Sequence, residues 1–189
     1  LPNGSYPFKK LTLLDVGCGG GLIAEPMTRL GAKVTGIDAS EKNTNVAKFH
    51  AEQMNLKINY LCTTPEKLNE RFDVILCLEI IEHVADVDLF IKSCAKLLNK
   101  NGIIFFATLN RTAKSFLFAI VGAEYILNWL PKGTHDWNKF LKPNEIISTA
   151  ANYQLALKET VGFKFNIFLR EWQKSRDTDI NYTASFKKN

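Results

Sequence analysis

Three side chains at the end of one apolar stretch, Glu79, Glu82 and His83 in LEIIEHV, are spaced i, i+3 and i+4. A helical turn at this point would set all three on one face. Two carboxylates and an imidazole suit a divalent ion and leave positions for a bidentate oxygen ligand. His83 could instead act as a metal-free general base. The plainest alternative is that the glutamates favour a helix N-terminus and His83 hydrogen-bonds locally. The residues by themselves leave these three open. Another histidine, His135 in KGTHDW, could reach the same place if the segment before it folds over.

A second constellation lies upstream. The apolar run TLLDV leads into glycines at positions 17, 19, 20 and 21, and a second apolar run, KVTGID, ends at Asp38. Closely spaced glycines let the backbone turn sharply and let a ligand approach with no Cβ in the way. The stretch LIAEPMTRL then reads as a helix whose first amides face that loop. Asp38 would stand at the tip of the neighbouring strand, where a carboxylate can take both hydroxyls of a ribose. The dinucleotide fingerprint G-x-G-x-x-G fails, because Leu22 occupies the third glycine position. The pattern that fits is acid-x-G-x-G-x-G, made by Asp15, Gly17, Gly19 and Gly21. Asp15 could receive a cationic amino group or order the loop. A ribose, an amino-acid tail and no pyrophosphate describe S-adenosylmethionine, whose sulfonium methyl an oxyanion can attack in line.

The elements needed to position these groups alternate along the chain, which predicts a mostly parallel sheet with helices on both faces. Ser40 can cap a helix from about Glu41 to Met54. INYLC is a third strand, followed by the loop Thr63 to Glu66. Phe72 to Leu78 is apolar apart from Asp73, as suits the middle of a parallel sheet. A helix from roughly Asp86 to Leu98 follows, with Leu89, Phe90, Ala95, Leu97 and Leu98 on or near its buried face. Asn101-Gly102 stops it, and GIIFFATL is a fifth strand. Pro26 is tolerable if its helix starts near Leu22, because first-turn amides lack partners. Pro143 can open a helix through Ala151, and Leu155 to Phe168 and Asn181 to Lys187 are closing strands. REWQKSRDTD reads as the connection between them.

The 189 residues, 46% of them hydrophobic, suit one domain with a sizeable core. The net charge of +5 would favour an anionic surface. No basic patch interleaved with aromatics argues for nucleic acid, which is therefore not expected as a partner. Cys18, Cys62, Cys77 and Cys94 have no CxxC spacing and read as reduced thiols of a cytosol-like compartment, which leaves the three N-x-S/T sequons without meaning. The polar, turn-rich LPNGSYPFKK has no signal-peptide pattern and no initiator Met, as expected of a fragment.

One segment breaks the alternation. SFLFAIVGAEYILNWL is apolar nearly all round. As a helix it would span about 24 Å at 1.5 Å per residue, short of the roughly 30 Å needed to cross a bilayer. A buried core helix is one reading. The other is a lid or interfacial helix at the headgroups, favoured by Lys114, Lys132, Trp129 and Tyr125 near its ends.

Together these residues resemble the ubiquinone-biosynthesis O-methyltransferases, class I methyltransferases that modify a polyprenylated catechol. The resemblance runs from about Leu13 to Asn189. It rests on LLDVGCGGGLIAE, GAKVTGIDAS, VAKFHA, LEIIEHV, the long TLNRTAKSFLFAIVGAEYILNWLPKGTHDWNKF, and DINY. The first two are generic to methyltransferases, whereas LEIIEHV and VGAEYI with PKGTHD are far more specific. The resemblance implies a Rossmann-like, mostly parallel seven-stranded sheet with a helical lid insertion, residues 111–140, in a single domain spanning 1–189. It implies that Gly17 and Asp38 contact S-adenosylmethionine, beside Asp15 and Gly19, and that Leu78 lines the pocket through its backbone. It also implies that Glu79, Glu82 and His83 form the catalytic set and hold a magnesium-type ion. The implied substrates are a polyprenylated catechol and demethylubiquinol. A cytoplasmic protein, peripheral at the inner face of the membrane and near other ubiquinone-biosynthesis proteins, would meet them. Members carry an N-terminal helical region with an arginine that reaches the cofactor, and LPNGSYPFKK offers no counterpart. Three other functions stay open from the residues: a cofactor- or lipid-binding module without turnover, another small-molecule methyltransferase, and an NAD-dependent dehydrogenase, which Leu22 disfavours.

Overall fold

The computed structural model describes residues 6–116, 137–166 and 169–189. Strand β1 (Thr12–Val16) leads through the glycine loop to α1 (Ala24–Arg29), β2 (Lys33–Asp38), α2 (Glu41–Gln53) and β3 (Asn59–Cys62). The chain then crosses back to β4 (Phe72–Leu78), α3 (Val87–Leu97) and β5 (Leu98–Leu109). A helical turn, α4 (Ala113–Ser115), precedes the undescribed stretch. Helix α5 (Pro143–Ala151), β6 (Leu155–Asn166), β7 (Glu171–Ser175) and β8 (Asn181–Lys188) complete it.

The eight strands form one sheet in the order β3-β2-β1-β4-β5-β8-β6-β7. The first five are parallel, and the last three join antiparallel. The α/β class, the parallel run and the helices on both faces match the sequence expectation. The seven strands expected become eight, because the stretch read as a connection supplies β7. Its Trp172 and Phe165 on β6 meet edge to face at 5.5 Å, and such cross-strand aromatic pairs stabilise an otherwise polar ribbon.

Alternation along β1 divides the core. Leu14 and Val16 join Ile75, Cys77, Phe90, Ile91, Cys94 and Ile146 on the side covered by α3 and α5. Leu13 joins Val34, Tyr60, Ala24, Ala47 and Ala51 on the side of α1 and α2. The helix starts follow their caps. Ser40 Oγ accepts from the Asn43 amide at 3.3 Å, and Asp86 Oδ1 from the Leu89 amide at 2.9 Å. Pro26 falls in the first turn of α1, where it removes no helical hydrogen bond. Strand β5 begins at Leu98, earlier than Asn101-Gly102 suggested. Asn101 adopts a left-handed φ of 63°, and the pairing with β4 skips between Phe72 and Val74.

The reading of residues 111–140 as a lid, and His135 with it, lies mostly outside the described residues. The flanks are pinned to the core. Arg111 pairs with Glu145, Lys114 Nζ meets Asp177 at 2.8 Å, and Phe116 packs edge to face on Trp137. Among the described residues no helix is long and apolar enough to cross a membrane.

Candidate active site

The strand order reverses between β1 and β4, and a doubly wound sheet opens its ligand crevice outside the strand ends at such a point. The glycine loop leaves β1 there, Asp38 ends β2, and Glu79 follows β4. A cavity of about 370 Å³ lies in the crevice, and Gly17, Asp38, Thr63, Pro65, His83 and Leu89 are among its walls.

The loop is held from below by the amides of Gly17 and Cys18, which both donate to the Ile37 carbonyl, at 2.8 and 3.0 Å. Gly17 needs to be glycine twice over. Its φ is +74°, and a Cβ would come within 2.8 Å of Ile80 Cγ1. Asp38 holds the loop from the side. Its Oδ2 accepts from the Gly19 amide at 3.0 Å, while Oδ1 takes the Ser40 amide at 2.8 Å and Asn43 Nδ2 at 3.3 Å. A carboxylate offers about four acceptor positions, so Oδ2 keeps one that faces the crevice for a ribose hydroxyl.

Asp15 sits behind the loop, 3% exposed. Burial pushes its carboxyl up to about 6, against the lowering effect of the Ala24 amide and with a smaller upward push from Asp38. Its Oδ2 has no hydrogen-bond partner among the described residues. The sign of the pH effect follows directly. The folded state holds this proton more tightly than the unfolded chain, whose ordinary value is 3.8. Folding therefore loses stability as pH rises from about 4 to about 6, by ~3 kcal/mol once both states are ionised. Asp15→Asn is expected to raise the melting temperature at pH 7.5, with a gain that shrinks towards pH 4. Melting curves at several pH values check this.

Glu79, Glu82 and His83 do not share one helical face. Glu79 takes a left-handed φ of 51°, and its amide continues the sheet by donating to the Ala107 carbonyl at 2.9 Å. The turn that follows is a short 3-10 segment, Ile81–His83. Glu82 is consequently buried and accepts from Thr108 Oγ1 at 2.9 Å, whereas His83 is exposed and walls the cofactor cavity. Glu79 as a residue remains exposed, yet the neighbouring Glu82 acts on its carboxyl. Burial and then the adjacent Glu82 charge push it up to about 7. Two carboxyls brought close together need either a proton or a cation between them. Among the described residues no three His, Cys, Asp or Glu side chains gather as a metal would require.

Leu78, expected to offer its backbone to the cofactor, sends its side chain to a separate apolar cavity of about 510 Å³ with Phe8, Leu76 and Phe105. Several walls of the crevice went unassigned in the sequence: Thr63 to Glu66, Val84 to Asp86, and Leu89, which is 46% exposed instead of buried. Their signal was position alone, at the carboxyl ends of β3 and β4.

The fold and this crevice define a class I S-adenosylmethionine-dependent methyltransferase. A family model described as a methyltransferase domain matches residues 14–106. Magnesium protoporphyrin IX methyltransferase from Synechocystis, solved with bound S-adenosylhomocysteine, superposes with a TM-score of 0.70 at 17% identity. The match covers 97% of this chain and 76% of that one. A methyltransferase from Methanosarcina mazei gives a TM-score of 0.72 at 16% identity, covering 97% and 94%. In sequence, the ubiquinone biosynthesis O-methyltransferase of Pelagibacter ubique is 58% identical over 185 residues, 97% of this chain and 77% of that protein. The protein of that name from Bartonella tribocorum is 52% identical over 190 residues, 99% of this chain and 77% of the relative. The chain belongs to the ubiquinone biosynthesis O-methyltransferase family. It is an O-methyltransferase, and S-adenosylmethionine is its methyl donor.

Proposed function

We propose that this chain methylates catechol-type hydroxyls on polyprenylated ubiquinone precursors, at both O-methylation steps. The observation that carries the reading is the placement of His83 as a wall of the crevice beside Gly17 and Asp38. Asp38 and the glycine loop hold the nucleoside. Asp15 and the loop support the amino-acid end. The substrate oxygen displaces the sulfonium methyl in line, forming a C–O bond as the C–S bond breaks and leaving S-adenosylhomocysteine. His83 accepts the hydroxyl proton, either directly or through water. Glu79 and Glu82 are the residues that would hold a magnesium-type ion. Once bound, such an ion lowers the pKa of the substrate hydroxyl. Product analysis with a short-chain prenylated catechol tests the substrate assignment. Methylation at one catechol oxygen is expected, and methylation of unprenylated carboxylic acids in its place would overturn it.

We further place the protein in the cytoplasm, peripheral to the membrane face where such lipid substrates reside and beside other ubiquinone-biosynthesis proteins. The apolar run from Ser115 to Leu130 and the net charge of +5 support this location. Partitioning onto anionic vesicles is expected to weaken with salt and to fall when Phe116, Phe118 and Trp129 are changed to serine. Partitioning unchanged by those substitutions in a cosedimentation assay would refute it.

A further inference from the structure

Behind the glycine loop, three residues align in one row across three strands. Asp15 on β1 pairs in register with Gly36 on β2, and Gly36 pairs with Tyr60 on β3. Paired residues of parallel strands point to the same face, here the face covered by α1 and α2. Gly36 has no side chain, and the Tyr60 ring fills its place. A Cβ on Gly36 would stand 2.6 Å from Tyr60 Cδ1 and Cε1 and 3.1 Å from Cys18 Sγ. The ring thereby leans across β2 towards Asp15. At its far end the hydroxyl lies beneath the loop, where a Cβ on Gly21 would come within 2.4 Å of it. Two glycines, one on β2 and one in the loop, thus make room for one tyrosine.

The polar ends of this row are both unsatisfied. Asp15 Oδ2 and Tyr60 Oη lack hydrogen-bond partners among the described residues, although each residue is only 3% exposed. Buried polar atoms are almost always paired, so two orphans on one row point to a shared partner. Adjacent parallel strands are about 4.8 Å apart, so a tyrosine reaching over one strand brings its hydroxyl to within a single water of a carboxylate on the next.

We propose that Tyr60 is a positioning residue for cofactor binding, its hydroxyl partnering Asp15 through one buried water and so fixing the glycine loop from beneath. The inference rests on the S-adenosylmethionine reading of the crevice. Tyr60 does not touch the reacting atoms. It acts through Asp15, which also accepts from the first amide of α1, and through Gly21. Losing the hydroxyl lets the loop shift and weakens the cofactor without changing the chemical step.

Tyr60→Phe removes only the hydroxyl. Cofactor affinity is expected to fall about tenfold, as for loss of one buried hydrogen bond, with KM for S-adenosylmethionine rising in step and kcat unchanged. A drop in melting temperature with cofactor affinity intact would mean a merely structural tyrosine and would overturn the proposal. The second arm is a double-mutant cycle of Tyr60→Phe with Asp15→Asn, read as cofactor affinity by calorimetry. Non-additivity of at least about threefold is expected of groups in one network, and additive losses would overturn the pairing. The unaltered protein is titrated in the same series. Cofactor binding there with additive mutant losses removes only the Tyr60–Asp15 pair, whereas no binding at all removes the cofactor reading with it.

Discussion

Asp38→Ala is expected to weaken S-adenosylmethionine binding by on the order of 10²–10³-fold, the worth of two hydrogen bonds to a charged acceptor. The carboxylate has two duties, and alanine removes both. It ties the Gly19 amide, the Ser40 amide and Asn43 together at the mouth of the crevice, and it presents its remaining acceptor position to the ribose. Asp38→Asn separates them. The amide keeps one acceptor for the Ser40 side but would place an N–H against the Gly19 N–H. An intermediate loss is expected, with the protein folded. Calorimetric titration of the two variants checks the order. Equal affinity in Asp38→Ala and the unaltered protein would remove Asp38 from the cofactor site.

The second large effect falls on turnover. Glu82→Gln is expected to lower kcat by ~10²-fold or more, within the range of a lost catalytic proton or charge site, while cofactor affinity stays unchanged. The reason is the burial of Glu82. Its carboxylate accepts from Thr108 Oγ1 at 2.9 Å, and its charge pushes up the neighbouring Glu79 carboxyl. Glutamine keeps the shape and removes the charge that a cation would answer. Glu79→Gln is expected to act in the same direction, and chelation of the unaltered protein should mimic both. Initial rates with chelator, then with magnesium restored, check this. Full activity in Glu82→Gln with chelator present would sever the carboxyl pair from the chemistry.

The nucleoside half of the site was legible in the sequence because it is local. Glycine at 17, 19 and 21 and an acid at the end of the next strand specify a loop and its neighbour without reference to the rest of the chain. The helix cap at Ser40 was legible for the same reason. The reactive half was legible in composition only. Counting i, i+3, i+4 assumed that a helix begins at Glu79. Instead the Glu79 amide is captured by Ala107 on β5, and the turn begins two residues later. That competition between sheet and helix depends on a strand about 30 residues away in sequence, which local periodicity cannot register. Leu89 fitted the apolar pattern of α3 and still lies in the crevice wall, since amphipathic spacing identifies an apolar stripe but not the cavity at its edge. Strand β7 was missed because its residues are polar, and it exists by pairing with β6 at the sheet edge. Tyr60 carried no signal until the strand register placed Gly36 between it and Asp15.

The decisive measurement is methyl transfer from labelled S-adenosylmethionine to a short-chain prenylated catechol, with cofactor binding measured on the same preparation. Label recovered in the O-methyl product, lost with chelator and regained with magnesium, is the expected result. Saturable cofactor binding with no label transferred under either condition would contradict it and leave a binding protein in place of an enzyme.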